Sequence, residues 1–148
     1  MIGVLVSGEG SNLQALLDTV PIASLPAPSA VPASSVVDPA SLFDAARVFD
    51  VEAMKRAFRV EWASRGPLEF VEHVAAPFLI AVGDAWERGE LDVRHEHFAS
   101  AMLGDFLRTV RMPLDDRATG PMVALATLPG ERHGLGLQMT ALVFALAG

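Results

Sequence analysis

The stretch "FVEHVAAPFLIAVGDAWERGELDVRHEHF", residues 70–98, decides the fold. Phe70, Val74, Phe78, Val82 and Trp86 recur every four residues, the spacing that lines one face of an α-helix. Pro77 stands inside that helix, and because it lacks an N–H and crowds the preceding turn it is expected to kink it. Gly89 ends the helix, and Asp92 can cap the next, in which Phe98, Met102, Phe106 and Val110 again stand four apart. Toward the N-terminus, Gly66-Pro67 separates the Phe70 helix from one that Asp50 can cap, with Glu52 in its first turn and Met54, Phe58 and Trp62 on one face. Asp38 followed by Pro39 opens a still earlier helix striped by Leu42, Phe43, Ala46 and Phe49. Four striped helices joined by short turns describe a compact four-helix bundle over residues 38–112.

Beyond "MPLDDRATG" (112–120) the period changes. "PMVALATL" (121–128) is an apolar run of the kind buried on both faces of a parallel sheet, "PGERHGLG" (129–136) is a loop, and "LQMTALVFALA" (137–147) is a helix stopped at Gly148. Residues 119–148 therefore read as the first β-loop-α unit of a Rossmann-like (flavodoxin-like) domain. A second strand is missing, so the expectation is a truncated, incomplete α/β domain and a chain that is a fragment. At the other end, residues 1–18 read as a short strand, a Gly-rich turn and a helix opened by Ser11 or Asn12. Residues 19–37 form a Pro/Ala/Ser-rich linker. The fold class is mainly α.

Composition narrows the function classes. With 148 residues, 51% of them hydrophobic, the chain can bury a real but modest core. It has no Cys, hence no disulfide, thiolate metal site or thiol nucleophile. Its net charge of −7 comes from 18 acids against 11 bases, and Lys55 is the only lysine. Such a surface repels phosphate, so no DNA contact is expected from this chain itself. The opening "MIGVLVSGEG" has no basic n-region, and no apolar run approaches the roughly 18 residues of a membrane span. A soluble, cytoplasmic protein is the expectation.

Two constellations can carry chemistry. In "GERHGLG" (130–136), His133 follows the expected strand at the sheet edge where ligands bind in open α/β folds. Glu131 can accept from one imidazole nitrogen and leave the other for a metal, while Gly134 and Gly136 let something bulky approach the backbone. A solvated loop with a surface histidine explains the same residues. In the second constellation, a tight turn carries the chain from Trp86 to Glu96 and His97, so the indole and the Glu-His pair can converge on one end of the bundle. Each also has a plain reading: Trp86 as a core member of its stripe, His97 as a helix-start histidine.

Together, a Trp, nine intervening residues and Glu-His, followed by a strand and an Glu-x-His-x-x-Gly loop, resemble the cobalamin-binding region of the CarH-type, MerR-superfamily light-sensing transcriptional regulators. The resemblance runs over residues 39–148 and includes "VGDAW" (82–86) and "RHEH" (94–97). It implies that His133 is the lower axial ligand of cobalt, with Glu131 orienting its imidazole and Gly136 giving room for the displaced nucleotide tail. Trp86 would cover the upper face against the 5′-deoxyadenosyl group of adenosylcobalamin, with Glu96 and His97 on that group or the corrin edge. The bundle is then the upper-face cap of a sensory module, not an enzyme, and a homo-oligomer is expected by likeness to complete relatives.

The sequence departs from that pattern in three places. Light-sensing members carry a His after the lid Trp that binds cobalt once light removes the adenosyl group; here the residue is Glu87, and nearby His95 is not the matching position. No basic helix-turn-helix precedes the bundle, and the later strands of a complete domain do not follow. Corrinoid proteins of cobalamin-dependent methyltransferase systems share the layout, usually with Asp-x-His-x-x-Gly, and are the alternative. A different class is offered by residues 4–18, which resemble the first strand, loop and helix of glycinamide ribonucleotide formyltransferase; there Gly10, Ser11 and Asn12 would bind a phosphate at a helix N-terminus. That enzyme's catalytic regions do not follow, so the segment also reads as a phosphate-binding remnant. His73, beside Glu69 and Glu72, reads as a solvated-face residue, Trp62 as core, and Asp115-Asp116 as a solvated pair.

Overall fold

The computed structural model describes residues 2–5, 39–127 and 134–147. They divide between two compact units, residues 27–106 in one and residues 1–26 with 107–148 in the other. Most of the described chain is helical, as expected.

In the first unit, α1 (Pro39–Arg47) and α2 (Val51–Arg65) are followed by α3 (Pro67–Phe70), a π-helical turn (Val71–Ala75), α4 (Ala76–Glu87) and the beginning of α5 (Val93–Asp115). The kink expected at Pro77 takes a specific form. The Ala76 N–H reaches the Val71 carbonyl, five residues back, immediately before the proline. A proline breaks the i→i−4 ladder and needs room for its ring, and a widened turn upstream provides both. At the start of α2, the Asp50 carboxylate accepts from the Ala53 N–H at 2.9 Å, the expected N-cap.

Two helices end the same way. Gly89, at φ 72, donates to the Trp86 carbonyl at 2.9 Å while Glu90 N–H reaches Ala85 at 2.9 Å. Phe49, at φ 56, donates to Ala46 at 3.3 Å while Asp50 N–H reaches Ala45 at 2.9 Å. Both are Schellman closures with a left-handed C′ residue. Phe49 therefore lies outside the helical stripe to which its spacing assigned it. Its left-handed backbone costs a non-glycine residue about 1–2 kcal/mol. The ring offsets that by stacking on His95, centroids 4.5 Å apart, and meeting Phe98 edge-on at 5.2 Å.

The core is aromatic. Phe58 and Phe70 are fully buried, and Phe58 also meets Phe78 and Phe106 while Trp62 meets Phe70 and Phe106. α1 packs against both α2 and α4. Asp92 caps α5 by accepting from the Arg94 N–H at 2.8 Å, and His95 Nδ1 accepts in return from the Asp92 N–H at 3.2 Å, a reciprocal cap. α5 runs to Asp115, beyond the expected end at 112, with Pro113 inside it. A proline this near a C-terminus removes one backbone bond, and the Arg111–Asp115 ion pair (3.1 Å) spans the same last turn.

The second unit corrects the expectation of a missing second strand. β1 (Ile2–Leu5) pairs in parallel with β2 (Val123–Ala126), Ile2 opposite Val123 and Leu5 opposite Ala126. Parallel pairing requires a crossover rather than adjacency in sequence, so the N-terminal apolar segment can serve. β2 is shorter than the 121–128 run and alternates half-buried with exposed residues instead of being buried on both faces. Among the described residues α6 (Leu135–Ala147) packs on this strand, burying Met139, Thr140, Leu142 and Val143. α6 starts two residues early, which puts Gly136 in its first turn rather than in the loop. Among the described residues no helix is long and apolar enough to cross a membrane. The Gly-rich turn and helix expected after β1 and the linker 19–37 lie outside the described residues.

Two substitutions check this reading. A Cβ at Gly89 would meet nothing within 4 Å, so Gly89→Ala isolates the backbone cost; urea unfolding is expected to show about 1 kcal/mol of destabilisation. The Asp92 carboxyl is held well below the ordinary carboxylate range, chiefly by hydrogen bonds from the Arg94 guanidinium. A depressed carboxyl contributes stability that is complete above its unfolded pKa, about 3.9, and is lost as pH falls toward the native value. The urea midpoints of wild type and Asp92→Ala should therefore differ at pH 7 and converge as pH is lowered from 4 toward 2.

Candidate functional site

The junction between α4 and α5 carries three of the expected site residues. Trp86 is in the last turn of α4, and Glu96 and His97 are in the first turns of α5, so one short turn holds all three at the same end of the helical unit. Leu91, buried in the middle of that turn, anchors it to the core. Arg88 forks onto Glu90, Nε to Oε1 at 2.6 Å and Nη2 to Oε2 at 3.2 Å. These hydrogen bonds hold the Glu90 carboxyl below its ordinary range.

Trp86 is 49% exposed, which rules out the core reading of its stripe. Val82 and Ala85 take the buried positions beside it. Among the described residues its indole stacks on no aromatic ring and donates no hydrogen bond. An exposed, unengaged Trp at a braced helix end leaves a large ring face open to an apolar, flat partner.

Glu96 accepts from the Ser100 hydroxyl at 2.7 Å and lies 2.5 Å from His97 Nδ1. A carboxylate only accepts, so Nδ1 carries the proton and Nε2 of the neutral ring is left as an acceptor. His97 is mostly exposed while Glu96 is half-buried, so the carboxylate is the fixed member of the pair. Glu87 follows Trp86 in the exposed last turn. His95, half-buried, is engaged by its cap and by the Phe49 ring.

Glu131 and His133 lie outside the described residues, as do Gly10, Ser11 and Asn12. Gly136 is described, in α6, where a Cβ would meet nothing within 4 Å. Two residues on, Gln138 Oε1 is buried with no hydrogen-bond partner among the described residues. A buried acceptor left over in this way is the kind that a ligand N–H satisfies. Sequence reasoning passed over Gln138, because one polar residue in an apolar helix reads as a solvent-side position. It also passed over Phe49, for which no glycine or asparagine announced a left-handed residue. Trp62 is a member of the aromatic core and His73 pairs on the surface with Glu69 at 3.1 Å, both as expected.

Residues 40–110 match the family model of the B12 binding domain. The chain is 38% identical over 82 residues to the HTH-type transcriptional repressor CarH of Myxococcus xanthus, an alignment covering 54% of this chain and 26% of that protein. The chain thus spans about a quarter of the length of this curated relative. No solved structure matches it significantly. No match found supports the likeness of residues 4–18 to a formyltransferase. Trp86, Glu96 and His97 all fall inside the segment that matches the B12 binding domain, and the comparison with the CarH repressor agrees with the resemblance drawn from the sequence.

Proposed function

We propose that the chain binds a cobalamin, adenosylcobalamin, as the sensory module of a transcriptional regulator. The observation that carries the reading is the exposed Trp86 ring, presented beside Glu96 and His97 inside a segment that matches the B12 binding domain. Burying the exposed half of such a ring stabilises a complex by on the order of 2 kcal/mol. Glu96, already fixed by Ser100, orients His97 so that its Nε2 is presented as an acceptor.

From the motif we assign His133 as the cobalt ligand and Glu131 as the acceptor that orients its imidazole. Gly136, with empty space where a Cβ would be, leaves room beside α6, and the unpaired Gln138 Oε1 offers an acceptor to the ligand's amide side chains. When bound, cobalamin would supply a flat apolar macrocycle and a cobalt ion able to take an imidazole nitrogen, which His133 would provide. The residues of this chain hold, cover and orient it. Residues 38–112 form the cap, a four-helix bundle, and residues 119–148 begin a Rossmann-like domain. With Glu87 after Trp86 where light-sensing relatives carry a His, the proposal does not extend to a light response of their kind. With a net charge of −7, the chain leaves DNA contact to another part of the regulator, and signalling runs through association of copies.

The test is a titration in the dark with adenosylcobalamin and methylcobalamin, followed by visible spectrum and elution volume. Adenosylcobalamin is expected to bind with a change in the visible band. His133→Ala should abolish that change, and Trp86→Ala should weaken adenosylcobalamin about tenfold while sparing methylcobalamin. Wild-type binding by His133→Ala would remove the ligand assignment. Equal loss of both cobalamins in Trp86→Ala would favour a methyl-transfer carrier.

A further inference from the structure

The helical unit contains a cavity of about 260 Å³ that the cobalamin reading does not use. Leu42 and Phe43 of α1, Glu61 and Arg65 of α2, Val74 of the π turn and Pro77 of α4 line it. None of Trp86, Glu96 or His97 borders it. It is below the roughly 300 Å³ at which pockets for drug-sized ligands begin. A tetrapyrrole cannot enter; a small organic molecule can.

The polar chemistry of the wall is lopsided. Glu61 is a carboxylate only 3% exposed, and its Oε2 is engaged by Arg65 Nε at 2.5 Å. A buried charge pair of this kind is costly to desolvate and is weak evidence for stability on its own. That pairing uses one of the five guanidinium donors, and among the described residues Arg65 has no other side-chain partner. His73, also on the wall, is engaged through Nε2 by Glu69 and keeps Nδ1. The Glu61 carboxylate is thus engaged, His73 Nδ1 is an acceptor when Nε2 donates to Glu69, and what the wall offers a visiting anion is the remaining N–H donors of Arg65 against apolar sides. The π turn is a second, independent observation, because His73 and Val74 are brought to the cavity by the widened turn at Val71–Ala75, and such turns recur at functional sites.

We infer that this cavity is a binding site for a small monocarboxylate with an apolar body, its carboxylate on the free guanidinium donors of Arg65 and its body against Phe43, Val74 and Pro77. A guanidinium edge and a carboxylate match as a planar fork. A single carboxylate suits the site better than a phosphate, because the chain's net charge of −7 penalises each added negative charge.

Octanoate, phenylacetate and the uncharged octan-1-ol, titrated calorimetrically into the full chain, test this. Octanoate or phenylacetate is expected to bind at one site per chain, with octan-1-ol at least about tenfold weaker. Val74→Trp fills the cavity and should abolish binding. Since Arg65→Met would take the guanidinium away from the buried Glu61 carboxylate, the charge is removed with the double variant Glu61→Gln/Arg65→Gln, which keeps a neutral hydrogen-bonding pair. In that variant octanoate should lose its advantage over octan-1-ol while helicity is retained. Absence of saturable carboxylate binding, octan-1-ol binding as tightly as octanoate, or a folded Val74→Trp that binds like wild type would each overturn the inference. Cobalamin titration is a separate readout, so failure here leaves the cobalamin reading standing, and the reverse holds as well.

Discussion

A single left-handed glycine sets the relation between the two halves of the site. Gly89 allows the chain to close α4 with paired hydrogen bonds to Trp86 and Ala85, drop Leu91 into the core and begin α5 at once on the Asp92 cap. The nine residues between Trp86 and Glu96 are therefore one helix end, one closure and one helix start. Adding a residue to α5 before Glu96 would swing Glu96 and His97 about 100° around the helix axis, away from the face they now present. The motif spacing is a geometric requirement of the turn, and the indole is exposed because its neighbours Val82 and Ala85 fill the buried positions of α4.

Around this junction the helical unit separates its forces. The aromatic cluster of Phe58, Phe70, Phe78, Phe106 and Trp62 supplies non-directional burial, while the charged residues act in local pairs such as Arg88 with Glu90 and Arg94 with Asp92. Exposed pairs of this sort contribute little to stability but fix local geometry. Where the helical pattern meets an incompatible residue, the backbone adjusts over one turn: a π turn before Pro77, and a left-handed Phe49 held by ring stacking where no glycine is available. The cost is absorbed beside the cavity in one case and beside the N-terminus of α5 in the other.

Much of the helical fold was legible in the residues, because the four-residue stripes and the Asp50, Gly66, Gly89 and Asp92 punctuation report local physics directly. Features that depend on tertiary contact were not. Trp86 belongs to its stripe by spacing, and only packing shows that the stripe's last member lies outside the core. The pairing of β1 with β2 joins segments more than a hundred residues apart, which no local pattern encodes. α5 outlasts its expected end because a proline in a final turn removes little that the turn needs. Of the candidate site, Trp86, Glu96 and His97 were singled out by resemblance to a known motif and the structure brings them to one junction; Glu131 and His133 lie outside the described residues and rest on that resemblance.

The central claim is the proposal that Trp86 covers the upper face of a bound cobalamin. The chain has two tryptophans, and Trp62→Phe, a conservative change within the aromatic core, leaves Trp86 as the sole indole emitter. Adenosylcobalamin absorbs where indole emits, so a bound corrin within contact distance should quench that emission almost completely, with saturation at one equivalent. Saturable binding by visible spectroscopy with the Trp86 emission unchanged, or no binding at all, would contradict the account.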